Sequence, residues 1–402
     1  MDLGLRFTSA MGFIAMMAIA WTVSRDRKRI AWQTVRWGVA LQLAIALPLL
    51  LTDIGPHFFS IADRLFSFLA DSTDQGVGFV FGKLNEPSIL TRALPIILVM
   101  GSIFSVLYHL GIAQRIINGL AYVLSRTMRL SGAESLASVS NVFLGMTESA
   151  LVVKPFVARM TRSELFTLMT VGMGTVAGSV LVAYRGFIGE GYAGHLVAAS
   201  LISAPAGILI AKIMEPETQT PESLGVTPAS VEVESVNVID AAALGAISGL
   251  RLAAYVGAML LVFVALTALV NGILGGVGGW FGYPQLTLQL VLGYLLAPLA
   301  MLMGVAPSEA TTVGSLLGVK TILNEFLAYQ QLGEATLSDR STIIATYALC
   351  GFANFGSLAI LLGGLGGIAP ERRSDIAQLG MRSILSGSLT TFMTACLAGV
   401  LA

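Results

Sequence analysis

Stretches of about 20 mostly apolar residues, the length that crosses a lipid hydrocarbon core, recur along this chain and constrain its fold more than any other feature. They run from about Leu5 to Val23, Ile30 to Thr52, Thr91 to Leu110, Glu164 to Ala183, Leu196 to Ile213, Leu252 to Val270, Ser341 to Leu362 and Ile376 to Leu401. Backbone inside lipid must satisfy its own N–H and C=O groups, so segments of this length form helices. Eight of them make an all-α polytopic membrane protein with eight transmembrane helices. Composition agrees, since 55% of the residues are apolar and 11% charged, against about a quarter charged in a soluble domain. Lys+Arg and Asp+Glu both number 23, so no charge imbalance points to nucleic acid as a partner. Membrane lipid is the partner that the apolar spans imply.

Charge placement orients the spans. A secretory signal carries its positive charge in front of the apolar run, whereas here Arg25, Arg27, Lys28 and Arg29 follow it. The first helix is therefore expected to be retained, with an external N-terminus. Basic residues cluster at 25–29, 115–129, 154–162 and 372–382. One arrangement, with N- and C-terminus both outside the cytoplasm, places all four clusters on the cytoplasmic side of a cell inner membrane, as the positive-inside rule asks. His57 to Leu69 has the apolar spacing of an interfacial helix. Residues 215–240, with Pro216, Pro221, Pro228 and several acids, read as a polar cytoplasmic linker.

Two apolar stretches do not fit as ordinary spans. Leu130 to Met160 carries Glu134, Asn141, Thr147, Glu148 and Lys154 between two basic flanks, so both of its ends belong on the cytoplasmic side. Pro284 to Leu332 carries Pro298, Pro307, Glu309, Lys320, Asn324 and Glu325, and the same topology makes it enter and leave from outside. Both read as re-entrant helical hairpins, oppositely oriented. Non-helical backbone at membrane depth is tolerated where protein or a water-filled cavity covers it, so a polar cavity is expected between them.

The hairpins also belong to a repeat. Glu148 precedes Gly178-Ser179 by nearly the interval at which Glu325 precedes Gly356-Ser357, with 31 residues from Glu148 to Ser179 and 32 from Glu325 to Ser357. Inverted repeats with broken helices are how many secondary transporters build a midplane site. Carboxylates at this depth are costly and usually face a functional cavity, although backbone N–H groups at a hairpin tip could also hold them. Asn354 and Ser357 could cap a helix break, and Thr175 could bond back to its own helix. The repeat and the linker divide the chain into segments at 1–112, 113–214, 215–240, 241–283 and 284–402.

Other features carry less. GGVGG at 275–279 and GGLGG at 363–367 follow no strand and read as turns or close packing. His57, His109 and His195 fall near span ends and read as interfacial. Cys350 and Cys396 lie in apolar segments and read as buried small hydrophobes. No HExxH, CxxC or Walker loop is present, and an enzyme would need a nucleophile or metal set.

NVFLGMTESALVVKPF at 141–156, TVAGSV at 175–180, GYLLAPLAMLMGV at 293–305, GVKTILNEFLAY at 318–329 and ALCGFANFGS followed by GGLGGIAPERR together carry a resemblance over nearly the whole chain. The sequence resembles the concentrative nucleoside transporters, sodium-coupled nucleoside symporters. The resemblance implies a homotrimer of eight-helix protomers, each with one interfacial helix and two re-entrant hairpins, working by an elevator motion of a transport domain, 113–214 with 284–402, against scaffold helices at 1–112 and 241–283. It implies a nucleoside substrate, with Thr147, Glu148 and Val180 near the base and Glu325, Asn354 and Ser357 around the ribose hydroxyls. It implies Na+ as the coupling ion, held by the side chains of Asn141 and Thr175 and the carbonyls of Leu144 and Val176, all oxygen donors suited to a hard cation. Two positions depart from the family pattern. Met146 stands where a glutamine commonly helps to read the base, and Thr175 where serine is common. Proton coupling, or a modified nucleoside or nucleobase suited to Met146, is the alternative.

Overall fold

Helices account for all regular structure among the residues that the computed structural model describes, 3–82, 89–189, 191–225 and 235–402. In chain order they are α1 (Leu3–Thr22), α2 (Trp32–Leu51), α3 (Ile54–Phe81), α4 (Ile89–His109), α5 (Ile112–Met128), α6 (Gly132–Leu144), α7 (Met146–Val152), α8 (Lys154–Val157) and α9 (Arg162–Gly174). The second half holds α10 (Gly178–Ile188), α11 (Ala193–Met214), α12 (Val238–Trp280), α13 (Leu288–Leu302), α14 (Ala310–Ile322), α15 (Glu325–Glu334), α16 (Asp339–Leu349), α17 (Phe355–Ile368) and α18 (Arg373–Leu401). Of the expected linker, residues 226–234, with Pro228, lie outside the described set.

Six spans among the described residues are long and apolar enough to cross a membrane, with α9 and α10 counted together, and a bent pair, 93–109 with 112–128 at 76°, makes a seventh. The eighth expected span, Ser341 to Leu362, is divided between α16 and α17, because the chain leaves the helix from Cys350 to Asn354. Three further boundaries differ from expectation. The amphipathic segment begun at His57 does not stop at Leu69 but continues to Phe81 as part of α3. The span expected at 252–270 is the middle of α12, a helix of 43 residues and therefore about 64 Å long, twice the hydrocarbon thickness. The stretch from Pro284 to Leu332 contains α13 as a separate helix, and the hairpin proper is α14–α15. The chain turns between α13 and α14 near Gly304, at φ 94°, a conformation open to glycine at little cost.

The order of elements is duplicated. A long helix (α4 or α12), a second helix (α5 or α13), a hairpin (α6–α7 or α14–α15), a broken helix (α9–α10 or α16–α17) and an unbroken helix (α11 or α18) follow one another twice. The long helices of the two repeats lie against each other at small residues, Gly101 facing Gly245 and Gly249 facing the Ile97–Leu98 backbone, as close packing in lipid favours. The interior is built from α11 and α18 and the α9–α10 pair, which are 89%, 83% and 89% buried over their apolar windows, whereas α1, α2 and α12 are 22%, 28% and 17% buried and turn apolar faces outward.

Each hairpin is tied at its base to the broken helix that follows it. Ser131, which caps α6, donates to Glu164 in the capping box of α9. Glu309, just before α14, accepts from the backbone N–H and the hydroxyl of Ser338, both at 2.8 Å, and Ser338 caps α16. Three of the four basic clusters meet at one end of the molecule. Arg25, Arg162 and Arg382 all pair with Glu215 at the end of α11, at 2.8, 3.0 and 3.7 Å. The Gly runs are packing features and not turns, since Gly278 lies inside α12 against Tyr283 and Leu286, and Gly364 lies inside α17. Both cysteines are free and buried.

Candidate functional site

The hairpin tips each place a carboxylate in the first turn of the second arm. Gly145, at φ 100°, reverses the chain between α6 and α7, a conformation that side chains with a Cβ rarely adopt, and Glu148 follows in the first turn of α7. In the second hairpin Asn324 caps α15 by accepting from the Leu327 N–H at 2.9 Å, and Glu325 is the first residue of that helix. Helix N-termini are favourable places for a negative charge.

Glu325 is 4% exposed and both of its oxygens are engaged. Oε1 accepts from the Tyr184 hydroxyl at 3.0 Å and Oε2 from Asn354 Nδ2 at 2.7 Å. Asn354 at the same time caps α17, its Oδ1 accepting from the Ser357 N–H at 2.7 Å. The helix cap read for Asn354 in the sequence is present, and the same side chain also holds the carboxylate through its nitrogen, a contact the sequence did not suggest. Each carboxylate oxygen keeps a further lone pair. Tyr184 is held by stacking on Tyr329 at 4.5 Å between ring centres and by the edge of Phe326 at 4.9 Å. Sequence reasoning missed Tyr184, a tyrosine in an apolar helix 141 residues from its partner.

Glu148 is exposed, whereas its neighbours Met146, Ser149 and Ala150 are buried. It accepts from its own backbone N–H and meets no other polar side chain among the described residues. Thr147 presents its methyl to Gly364 of α17, where a Cβ would come within 2.8 Å. Met146 is 7% exposed and its Cβ lies against Gly172 of α9. Val180 is 1% exposed. Two helices link the hairpins. The start of α10 rests on the Phe143 carbonyl and its Tyr184 reaches Glu325, while α17 begins with Asn354 on Glu325 and then passes Thr147.

Of the four expected sodium ligands, Asn141 and Thr175 meet directly between the ends of α6 and α9. Asn141 Nδ2 donates to the Val171 carbonyl at 3.1 Å and to Thr175 Oγ1, and its Oδ1 accepts from Ser149 Oγ at 3.1 Å. Thr175 does bond back to its own helix, donating to Val171 O at 2.9 Å, and accepts from Asn141 as well. The Val176 carbonyl accepts from Ser200 Oγ at 3.3 Å. Leu144 is the last residue of α6, where carbonyls lack intrahelical partners. The C-terminal ends of α6 and α9 thus converge, and both dipoles present their negative poles. A set made only of oxygens at two helix C-termini fits a hard monovalent cation. The Asn141 amide NH2 donates to Thr175 Oγ1 of that set and to the neighbouring Val171 carbonyl. Turning the amide by 180° presents Oδ1 instead, and the Ser149 hydroxyl can donate or accept. The two helix breaks cross beside this place, where a Cβ on Gly351 would come within 2.9 Å of the Met173 carbonyl. The histidines stand apart, His57 on the Asp53 carbonyl at 2.9 Å, His109 on Ser235 at 2.6 Å and His195 against the Phe59 ring at 4.5 Å.

Three family models cover the chain in succession: the Na+ dependent nucleoside transporter N-terminus at residues 11–84, nucleoside recognition at 90–191, and the Na+ dependent nucleoside transporter C-terminus at 195–399. This chain belongs to the concentrative nucleoside transporter family. Among the transporter's relatives, an uncharacterized transporter of Haemophilus influenzae is 42% identical over 98% of this chain and 97% of its own. Mouse solute carrier family 28 member 3 is 39% identical over 97% of this chain and 58% of its own, and rat sodium/nucleoside cotransporter 1 is 35% identical over 98% and 64%. Among solved structures, CNTnw in an inward-facing substrate-bound state matches with a TM-score of 0.92 at 41% identity, over 99% of this chain and 98% of that one. A doubly substituted CNTnw in an outward-facing state matches with a TM-score of 0.93 at 40% identity, over 100% and 99%. The protein is therefore a multi-pass membrane transporter of the nucleoside-transporting family and not an enzyme.

Proposed function

We propose that this transporter is a sodium–nucleoside symporter that imports nucleosides across the cell inner membrane by an elevator-type alternating access, as a homotrimer with both termini outside. The observation that carries this reading is the pairing at Glu325. A carboxylate held in place by Tyr184 and Asn354, with one acceptor left on each oxygen, is shaped to take two neighbouring hydroxyls of a ribose. Ser357, buried beside Asn354 at the start of α17, completes the sugar end. Glu148, Thr147, Met146 and Val180 form the base end, where the accessible Glu148 carboxylate can accept from a base N–H.

Sodium is the co-substrate, taken by Asn141, Thr175 and the carbonyls of Leu144 and Val176. Asn141 and Leu144 belong to the same hairpin as Glu148, Asn141 reaching Ser149 across the turn at Gly145, and Thr175 and Val176 join them from the break between α9 and α10. Ordering of α6 and α7 by the ion thus presents Glu148 and Thr147 to the base, which is a coupling between the two ligands. With Met146 packed on Gly172 and not offering an amide, base selection rests on Glu148 and Thr147. A competition panel of natural nucleosides against one labelled nucleoside, bound to the purified protein with and without sodium, tests the reading. The expected result is tighter binding of ribonucleosides in sodium, and binding that ignores both the ribose and sodium overturns it.

A further inference from the structure

The second repeat holds a buried ammonium where the first repeat has its cation ligands. Lys320 lies in the last turn of α14, as Asn141 lies in the last turn of α6, each close behind its hairpin tip. The side chain is 0% exposed. Its Nζ donates to the Ala348 carbonyl at 2.8 Å, in the last turn of α16, and to Thr391 Oγ1 of α18 at 2.8 Å, over the Phe392 ring at 5.5 Å. In the first repeat the Asn141 NH2 donates to the Val171 carbonyl in the last turn of α9 and to a threonine hydroxyl. Both repeats therefore set a side-chain nitrogen donor, a neutral amide in the first and an ammonium in the second, against one helix-end carbonyl and one threonine oxygen beside the break of the following helix. Thr391 donates its own proton to Ser388 O at 3.1 Å, which leaves its lone pairs for Lys320. Among the described residues no carboxylate pairs directly with Lys320. Glu325 lies five positions along the same hairpin.

We propose that Lys320 is a tethered cation that permanently occupies, in the second repeat, the place that sodium enters and leaves in the first. The inference rests on the sodium reading of the first repeat and extends it to the stoichiometry of coupling. Glu325 then has its positive charge built into the chain, and Glu148, whose hairpin carries no such group, draws its own from solution. One dissociable cation per nucleoside follows, because a second would have to displace an ammonium that cannot diffuse away.

The test compares Lys320→Ala, which vacates the place, with Lys320→Met, which fills it with a neutral chain. Fluxes of labelled sodium and labelled uridine into proteoliposomes are measured together. The expected ratio is about one for the wild type and about two for Lys320→Ala, since the uncovered oxygens now need a free cation. Uptake by Lys320→Ala should also be restored by methylammonium, and uptake by Lys320→Met by neither cation. A purely structural lysine would leave the ratio at one in both variants and ignore methylammonium, and that result overturns the proposal. If Lys320→Ala does not fold, Lys320→Met decides: uptake within about twofold of wild type contradicts a required charge, and loss in a protein that still melts cooperatively supports it. If the wild type proves independent of sodium, the coupling reading fails separately. Lys320→Ala should then acquire a dependence on added sodium or methylammonium that the wild type lacks, and no such gain overturns the tethered cation.

Discussion

Replacing Glu325 by glutamine separates the proposed ribose contact from the fold that holds the carboxylate. Asn354 cannot turn its amide around, because Oδ1 is committed to the Ser357 N–H. The glutamine must therefore point its oxygen at Asn354 and its NH2 at Tyr184, whose hydroxyl can accept as well as donate. Both protein contacts survive in weaker form. Their loss of charge assistance, about 1 kcal/mol each, is offset by no longer burying an ion, so the melting temperature should move little. The ligand side has no such compensation. Two charge-assisted bonds to ribose, at about 1.5–3 kcal/mol each, become one neutral bond at about 0.5–1.5 kcal/mol. The difference is about 3 kcal/mol, or roughly 100-fold in affinity. Calorimetric titration of wild type and Glu325→Gln with uridine, 2′-deoxyuridine and 3′-deoxyuridine reads it out. The wild type should discriminate against a deoxy analogue and the variant should scarcely do so, which is the coupling that a double-mutant cycle reports. Discrimination of equal size in both proteins would show that Glu325 does not touch the sugar.

The proposed ion site, the proposed base end and the ion pair near the end of α11 each yield a further expectation. Asn141→Ala should raise the sodium concentration for half-maximal uptake at least about tenfold, as losing one or more charge-assisted contacts implies, while Thr175→Ser, which keeps the hydroxyl, should leave it within about twofold; sodium titrations of uridine uptake check both. Met146→Gln should change the order of nucleosides in a competition panel, at a stability cost of about 1–3 kcal/mol for a buried amide; an unchanged order would remove this position from base recognition. Lys212 pairs with Glu134 at 2.6 Å, with side chains 7% and 1% exposed, so Lys212→Met should lower stability by about 3–5 kcal/mol by leaving a buried carboxylate alone. A thermal melt unchanged from wild type would show that the Ser163 and Glu217 contacts carry that end of α11 instead.

Much of this architecture is legible in the sequence because lipid leaves few options. An apolar run of span length has to be helical, and a carboxylate inside one has to be accounted for, which is why Glu148 and Glu325 stand out and why the nearly equal spacing to Ser179 and Ser357 exposes the duplication. Hydropathy does not report where a helix ends beyond the lipid. The ends of α12 and the continuation of α3 to Phe81 are polar or glycine-rich enough to pass for loops. Nor does it find the turn at Gly304, where apolar residues on both sides conceal the boundary between α13 and the hairpin. The site is half visible. Motif residues near the tips are found by their unusual polarity, whereas Tyr184, Ser149 and Thr391 have the ordinary composition of buried helices and acquire their roles only through contacts 8 to 141 residues distant along the chain.

The most direct measurement is labelled uridine uptake by the purified transporter in proteoliposomes carrying an imposed sodium gradient. Coupled transport requires uridine to accumulate above its external concentration when sodium is high outside, and to leak back when a sodium ionophore dissipates the gradient. No accumulation under any sodium gradient, or accumulation driven equally well by a pH gradient in sodium-free buffer, contradicts sodium-coupled nucleoside import.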